Sequence, residues 1–466
     1  MYVQQLYTNC LAHAAYYIES GNQAAVIDPL RDPEPYMKLA QQRGATIKYV
    51  LETHFHADFV SGHIDLANKT GAQIVYGPNA APGYKAYIAQ DGEKLKIGNV
   101  ELEILHTPGH TIESTSFLLH NDEGKPFAVF TGDTLFVGDV GRPDLLSGNL
   151  GKEELAAMLF SSLQNKIKTL PDDVIVYPGH GAGSACGKNI GSQSYSTIGE
   201  QKATNYALLT NDRNTFIELV TSDLPVIPGY FFTDAVINKT GYSSFDDVMK
   251  MNLNPLSIDQ FNAFRKQGAV ILDTRDPQEF AAGFIKGSLN IGLNGDFAVW
   301  VGTLLDANSN ILLVTQAGRE REAIERLARI GYENVYGYLD GGMNPWFSGK
   351  FDYGIVMTFN GQEVNQLLEA EEYNLLDVRN RGEAAKNRMT GSLHIPLNTL
   401  RNRYTELNKN KKWLIYCAGG YRSMIAASFL IGIGFHFVAS VEGGMKEIMQ
   451  HAPELVEMDL DRSVSE

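Results

Sequence analysis

The second half of this 466-residue chain repeats itself. LDTR at 272–275 returns as LDVR at 376–379, and KGSLNIGLN at 286–294 returns as TGSLHIPLN at 390–398, both at an offset of 104. GGM at 341–343 returns at 443–445, an offset of 102. A period of this size is a duplicated domain, since solenoid units usually run about 20–50 residues. Each copy reads strand, loop, helix: LVTQAGREREAIERLARI in the first, IYCAGGYRSMIAASFLI in the second. That order predicts a small α/β domain with a mostly parallel sheet. At roughly 150 residues per domain the chain holds about three. A boundary is expected near 240–257, where KTGYSSFDDVMKMNLNPLSI mixes small and polar residues and carries a proline. The expected domains are 1–250, 255–355 and 356–466.

Composition excludes several classes. The formal net charge is −15 and no Lys/Arg cluster appears, so nucleic acid is not an expected partner. No run approaches about 18 apolar residues, so no membrane span is expected. MYVQQLYTNC lacks the basic-then-apolar order of a signal peptide. Cys10, Cys186 and Cys417 are too few and too scattered for a disulfide scaffold, and a reducing cytoplasm is the simplest location.

The first half alternates strands and helices. AAYYIESGNQAAVIDP reads as two strands around a turn, PYMKLAQQRGA as a short helix, and IKYVLET, VELEILHTP, PFAVFTGDTLF and DDVIVYPGHG as strands ending in polar residues. EELAAMLFSSLQNKI reads as an amphipathic helix. Strand ends are where α/β folds place their chemistry. Here they carry THFHAD (His54, His56, Asp58), HTPGH (His110), TGDT (Asp133) and PGHG (His180). Imidazole and carboxylate are natural ligands of zinc and iron(II).

This constellation resembles the metallo-β-lactamase fold superfamily, with its H-x-H-x-D-H signature. The resemblance implies an αββα sandwich. In the dinuclear hydrolases of that superfamily the Asp and the last His serve a second metal, but here the last position is Phe59. A mononuclear centre of His54, His110 and Asp133 remains, a two-His, one-carboxylate set that suits non-haem iron(II) and dioxygen. VGDVGRPD at 137–144 is similar to the Gly-Arg-x-Asp segment of persulfide dioxygenases. That resemblance implies one Fe(II) per domain on those three residues. It makes His56, Asp58 and His180 orienting residues, and Arg142 a residue that structures the site or attracts an anionic substrate. GHGAGSACGKNIG (179–191), with THFHADF, is similar to bacterial persulfide dioxygenase–rhodanese fusions. Cys186 matches a cysteine near the substrate entrance of that subgroup, implying a role in accepting or relaying sulfane sulfur. The segment is no phosphate loop: Ala182 replaces the first Gly and Asn189 the final Ser/Thr.

CAGGYRS (417–423) follows the apolar strand WLIY and opens a helix. A cysteine placed there faces backbone N–H groups and the positive end of a helix, which favour thiolate. Arg422 adds positive charge, and Gly419 and Gly420 let the backbone turn its amides inward. The Cys-x₄-Arg spacing is one residue shorter than the tyrosine-phosphatase loop. It resembles rhodanese sulfurtransferases, as do LDVR and EGGM. In the first copy Thr315 stands opposite Cys417 and Glu320 opposite Arg422, which marks a pseudo-rhodanese acting as a spacer or dimer contact.

The resemblances together imply an iron(II) persulfide dioxygenase fused to a thiosulfate sulfurtransferase, serving sulfide detoxification. Its expected partners are a small thiol persulfide, dioxygen, and sulfite or thiosulfate. A homodimer or homotetramer is expected from the family. Two other readings stay open: a zinc-dependent thioester hydrolase of the glyoxalase II kind carrying rhodanese domains, and a non-catalytic sulfur carrier.

Overall fold

The computed structural model describes residues 1–145, 150–224, 227–369 and 373–458; the end of the expected third domain, 459–466, lies outside them. The chain divides into two compact units, Met1–Val248 with Leu327–Tyr332, and Met249–Arg326 with Glu333–Glu466.

The first unit holds two six-stranded sheets. One runs in sequential order through β1 (Tyr2–Thr8), β2 (His13–Ser20), β3 (Gln23–Ile27), β4 (Thr46–Leu51), β5 (Gln73–Tyr76) and β6 (Tyr87–Ile88). Its pairs are antiparallel as far as β3 and parallel after it. The other comprises β7 (Lys94–Ile97), β8 (Val100–His106), β9 (Thr115–His120), β10 (Pro126–Gly132), β11 (Ile175–Pro178) and β12 (Ser196–Thr197), also in sequential order. It is antiparallel except where β10 pairs with β11.

Period-two patterning sets the layers. Ala14, Tyr16 and Ile18 of β2 pack against Leu102, Ile104 and Phe117 of the facing sheet. The intervening Ala15 and Tyr17 pack against Tyr36 and Ala40 of helix Glu34–Arg43 and Leu66 of helix His63–Thr70. On the other sheet Leu118 and Val129 face outward onto Ala156 and Leu159 of helix Lys152–Ser162. The result is the expected αββα sandwich. Burying a Leu, Val or Phe contributes roughly 1.5–3 kcal/mol, and a one-residue slip would turn every such side chain to the wrong face. The register is therefore strongly specified. The helix expected over EELAAMLFSSLQNKI continues past Ser162 as a π-turn, Leu163–Ile167.

The second unit carries the repeat. Its first sheet contains β13 (Pro255–Leu256), β14 (Val270–Asp273), β15 (Leu289–Asn290), β16 (Ile311–Val314) and β17 (Val335–Leu339) in the order β13-β17-β16-β14-β15. The second contains β18 (Met357–Phe359), β19 (Asn374–Asp377), then β20 (Asn387–Met389), which pairs with the last strand instead, β21 (Leu393–His394), β22 (Trp413–Tyr416) and β23 (Val438–Val441). Its order is β18-β23-β22-β19-β21, the same arrangement shifted along the chain, and all pairs in both five-stranded sheets are parallel. β24 (Val456–Met458) pairs with β20. The repeated LDxR motif is structural: Arg275 grips Asp273 at 2.6 Å and Arg379 grips Asp377 at 2.6 Å, each just past a strand end.

The two repeats touch through the second copy's main helix, Tyr421–Gly432. Asn290 N–H donates to Ser428 Oγ (2.9 Å), and Tyr421 Oη donates to the Gly292 carbonyl (2.7 Å). Among the described residues no helix is long and apolar enough to cross a membrane.

Candidate functional site

Loops at one edge of the sandwich bring the motif residues together. His54 and His56 follow β4, His110 follows β8, Asp133 follows β10 and His180 follows β11. Donor atoms of His54, His110 and Asp133 all lie within 4.8 Å of one another, and all three residues are buried. The hydrogen bonds fix their tautomers. His110 Nδ1 can only donate to the Arg142 carbonyl (2.8 Å), so Nε2 keeps its lone pair, 3.4 Å from Asp133 Oδ2. Thr53 Oγ1 donates to Asp28 Oδ2 (2.9 Å), which leaves it to accept from His54 Nδ1 (2.9 Å). Outer hydrogen bonds of this kind orient metal-binding imidazoles. Both carboxylate oxygens of Asp133 are buried, and the Cys186 thiol hydrogen-bonds to that carboxylate. A buried carboxylate facing two imidazole lone pairs, with no cationic side chain beside it among the described residues, fits a divalent cation.

The electrostatics agree with that fit. Burial, reinforced by His56 and His110, pushes His54 well below the usual histidine range. Burial also lowers His110 and His180 to about 4, so all three imidazoles are neutral and able to ligate at neutral pH. Burial and then the nearby Asp58 push Asp133 well up.

A second cluster adjoins the first. Asp58, His180 and Cys186 are buried with donor atoms within 4.8 Å of one another. His180 Nδ1 donates to the Ala12 carbonyl (3.2 Å), turning Nε2 toward Asp58 Oδ2 at 3.3 Å and Asp133 Oδ1 at 3.6 Å. Cys186 sits on a loop tied down at several points. Asp139 Oδ2 accepts from the Lys188 and Asn189 N–H groups (2.7 and 2.6 Å), and the Arg142 N–H donates to the Cys186 carbonyl (3.0 Å). The Arg142 guanidinium forks onto Asp144 (2.7 and 2.9 Å) and also reaches the Ala185 carbonyl (3.2 Å). The charge of Arg142 is thus matched by a carboxylate, and both its backbone and its side chain hold the loops around His110 and Cys186.

His56 turns away from the His54–His110–Asp133 set. Its Nε2 lies 3.1 Å from Asp28 Oδ1 and 3.6 Å from Glu52 Oε2, and the three donor atoms form a third buried group. Phe59 is fully buried, its ring 4.4 Å from that of His56 and 4.2 Å from that of His13. The position is thus filled with an apolar ring.

Sequence reasoning missed several supporting residues. Asn238 donates to the carbonyls of His56 and Phe59 (both 2.7 Å) and accepts from the Ser61 N–H (2.9 Å). Asp28 and Glu52 could have been found, since each stands at a strand end just as Asp133 does. Asn238, in helix Phe231–Thr240, carries no local signal.

In the second repeat, Cys417 is buried at the end of β22, and the Gly420 N–H points at its Sγ (3.1 Å). Gly420 has φ +94° and Gly444 φ +58°; a Cβ on Gly444 would lie 2.3 Å from the Cys417 carbonyl oxygen. Glycine at both positions therefore permits the loop. Gly419 faces open space. Ser423 Oγ lies 3.7 Å from the sulfur. Arg422 is held by a two-pronged pair with Glu383 (2.7 Å on both arms), which the sequence reading did not anticipate although Asn380-x-x-Glu383 is a helix-capping signature. In the first repeat Thr315 is buried at the position matching Cys417.

A model of the metallo-beta-lactamase superfamily matches residues 8–180, and a rhodanese-like domain model matches 257–348 and 360–451. The hydroxyacylglutathione hydrolase GloC of Haemophilus influenzae is 31% identical over 209 residues, covering 40% of this chain and 88% of that protein. The chain belongs to the metallo-beta-lactamase superfamily. It joins that superfamily's fold to two rhodanese-like domains. The crystal structure of a metallo-beta-lactamase from Staphylococcus aureus subsp. aureus COL is similar, with TM-score 0.64 and 36% identity over 73% of this chain and 98% of that one. A probable hydroxyacylglutathione hydrolase of Schizosaccharomyces pombe is 35% identical over 165 residues, and the match spans 60% of that relative's length.

Proposed function

We propose that this chain is a cytoplasmic iron(II) persulfide dioxygenase joined to a sulfurtransferase. The observation that carries the reading is the compact two-His, one-Asp set, together with Phe59 where dinuclear hydrolases need a histidine. Iron(II) held by His54, His110 and Asp133 would supply the dioxygen chemistry, as such ligand sets do elsewhere. The chain's own residues hold the geometry. Asp28 and Thr53 fix the His54 ring, the Arg142 carbonyl fixes His110, and Phe59 keeps an apolar wall beside His56. The overall reaction balances as RSSH + O₂ + H₂O → RSH + SO₃²⁻ + 2H⁺.

Cys417 would then carry sulfane sulfur. The Cys417 sulfur attacks the terminal sulfur of a second persulfide, the S–S bond breaks and RSH leaves. Sulfite takes that sulfur from the Cys417 persulfide, giving thiosulfate and restoring the thiol. The Gly420 N–H, aimed at Sγ, stabilises negative charge there, and Arg422 lies at the same helix start with its guanidinium paired to Glu383.

A thioester hydrolase reading has its own support. The H. influenzae and S. pombe relatives are named hydroxyacylglutathione hydrolases. The orientation of His56 toward Asp28 and Glu52 favours the dioxygenase reading instead. The deciding experiment adds glutathione persulfide to anaerobically purified, iron-loaded protein and follows oxygen. Rapid uptake with sulfite or thiosulfate formed supports the dioxygenase. No uptake with any thiol persulfide, combined with cleavage of a glutathione thioester by the zinc-loaded protein, replaces it with the hydrolase.

A further inference from the structure

We infer that the first repeat, whose own loop carries Thr315 in place of a cysteine, braces the Cys417 loop of the second, and that Tyr421 is the positioning residue through which it does so. Both repeats lie in the second compact unit, so the contact is internal to that unit. The inference rests on the reading of Cys417 as a sulfur carrier and gives the first repeat a part in that reaction.

Tyr421 lies inside CAGGYRS, directly after Gly420, whose N–H points at Cys417 Sγ (3.1 Å). Its side chain reaches into the first repeat. Tyr421 Oη donates to the Gly292 carbonyl (2.7 Å), and a Cβ added at Gly295 would lie 2.4 Å from Tyr421 Cζ. Glycine at 295 therefore makes room for the ring. The segment that receives the ring is held in turn by the first repeat's own loop. Arg319, which stands opposite Tyr421 at the offset of 102, donates from Nη1 to Asn294 Oδ1 (3.0 Å). Asn294 Nδ2 donates to Asp276 Oδ1 (2.8 Å), and Arg326 Nη1 donates to the Leu293 carbonyl (2.6 Å). The same loop position in the two repeats thus grips one segment. Burial, and then the Asp296 carboxylate, hold the Tyr421 hydroxyl well above the usual tyrosine range, so it stays a donor at neutral pH.

This brace acts on the bond that breaks. When sulfite takes the outer sulfur of the Cys417 persulfide, a new S–S bond forms to the sulfite sulfur. The old S–S bond breaks, its electron pair passes to Sγ, and thiosulfate leaves. The persulfide proton ends on the Cys417 thiol. Negative charge therefore develops on the atom at which the Gly420 N–H is aimed, and such a donor is most effective when its direction is fixed in advance. Gly420 has φ +94° and no side chain of its own to hold that conformation. Anchoring Tyr421, the first residue of the helix that follows, holds the end of the loop in place. Ser428, further along the same helix, accepts from the Asn290 N–H (2.9 Å), so the first repeat grips that helix at two points.

The test is a single-turnover measurement on the full chain in the absence of oxygen. Cys417 is loaded from glutathione persulfide, and loading is verified by peptide mass. Thiosulfate release on mixing with sulfite then gives a rate constant that does not depend on how much of the protein is active. Tyr421→Phe keeps the ring and removes the bond to Gly292. Its limiting rate constant should fall about threefold to tenfold, the range that one net hydrogen bond allows, with the half-saturating sulfite concentration unchanged. Asn294→Ala, a change confined to the first repeat, should slow release in the same way. The double variant should be no slower than Tyr421→Phe alone, since both act through one segment. A limiting rate constant in Tyr421→Phe within about twofold of the wild type, or a raised sulfite requirement with an unchanged limit, overturns the proposal. Should Tyr421→Phe fail to fold, Asn294→Ala decides by the same two criteria. A wild type that loads no sulfur on Cys417, or releases no thiosulfate, refutes the sulfur-carrier reading and the inference with it. A loaded wild type with unslowed variants refutes the inference alone.

Discussion

Asn238→Ala tests how the metal-binding loop is held. The amide is almost fully buried and makes three hydrogen bonds, all to the backbone of the segment between His56 and Ser61. Truncation leaves the Ser61 N–H and the carbonyls of His56 and Phe59 without partners. A buried polar group left unsatisfied costs roughly 1–3 kcal/mol. Three such losses sum to about 3–9 kcal/mol, and water entering the space vacated by the amide offsets part of this. The expected loss is about 3–5 kcal/mol, large for one substitution. The assay can isolate the domain. All three tryptophans, Trp300, Trp346 and Trp413, lie in the second unit, so tryptophan fluorescence follows that unit alone. Urea unfolding followed by circular dichroism should show an earlier transition in Asn238→Ala that is silent in tryptophan fluorescence. A shift worth less than about 1 kcal/mol would refute the claim that this side chain holds the loop.

Other substitutions separate the proposed activities. Cys417→Ser should abolish thiosulfate formation and leave persulfide-dependent oxygen uptake largely intact, measured side by side; equal loss of both would sink the two-site reading. Asp133→Ala should remove iron and oxygen uptake together, and full iron occupancy by elemental analysis would show the ligand set to be misassigned. Gly295→Ala would place a Cβ 2.4 Å from Tyr421 Cζ, forcing the ring that bonds Gly292 to move. Overpacking of this kind costs about 1–3 kcal/mol, so the tryptophan-detected transition should come earlier, and an unchanged midpoint would show that the two repeats do not rely on that contact.

Much of the architecture was legible because it is local. Alternating apolar residues wrote the strands of the sandwich, and the recurrence of LDxR and GGM announced two like domains. Strand-end polar residues marked His54, His110 and Asp133 as candidates, since each follows a strand, and β8 and β10, alternate strands of an antiparallel run, end at the same edge. The Cys417 loop was legible for a similar reason: an apolar strand, a glycine pair and a helix start occur in one continuous stretch.

What the sequence by itself determined, then, is the set of elements and the residues at their ends, because periodicity and turn chemistry act over a few residues. The tertiary structure decided which of those residues meet. His56 shares a motif with His54, yet it faces Asp28 and Glu52. Cys186 comes to lie beside Asp58 and His180 because Asp139 and Arg142 fold its loop inward. Asn238 clamps a loop 182 residues away in sequence. Each of these is a buried polar group finding its partner only when separate layers dock. The partner of such a group is set by where the packed core brings the backbone, and no local pattern encodes it.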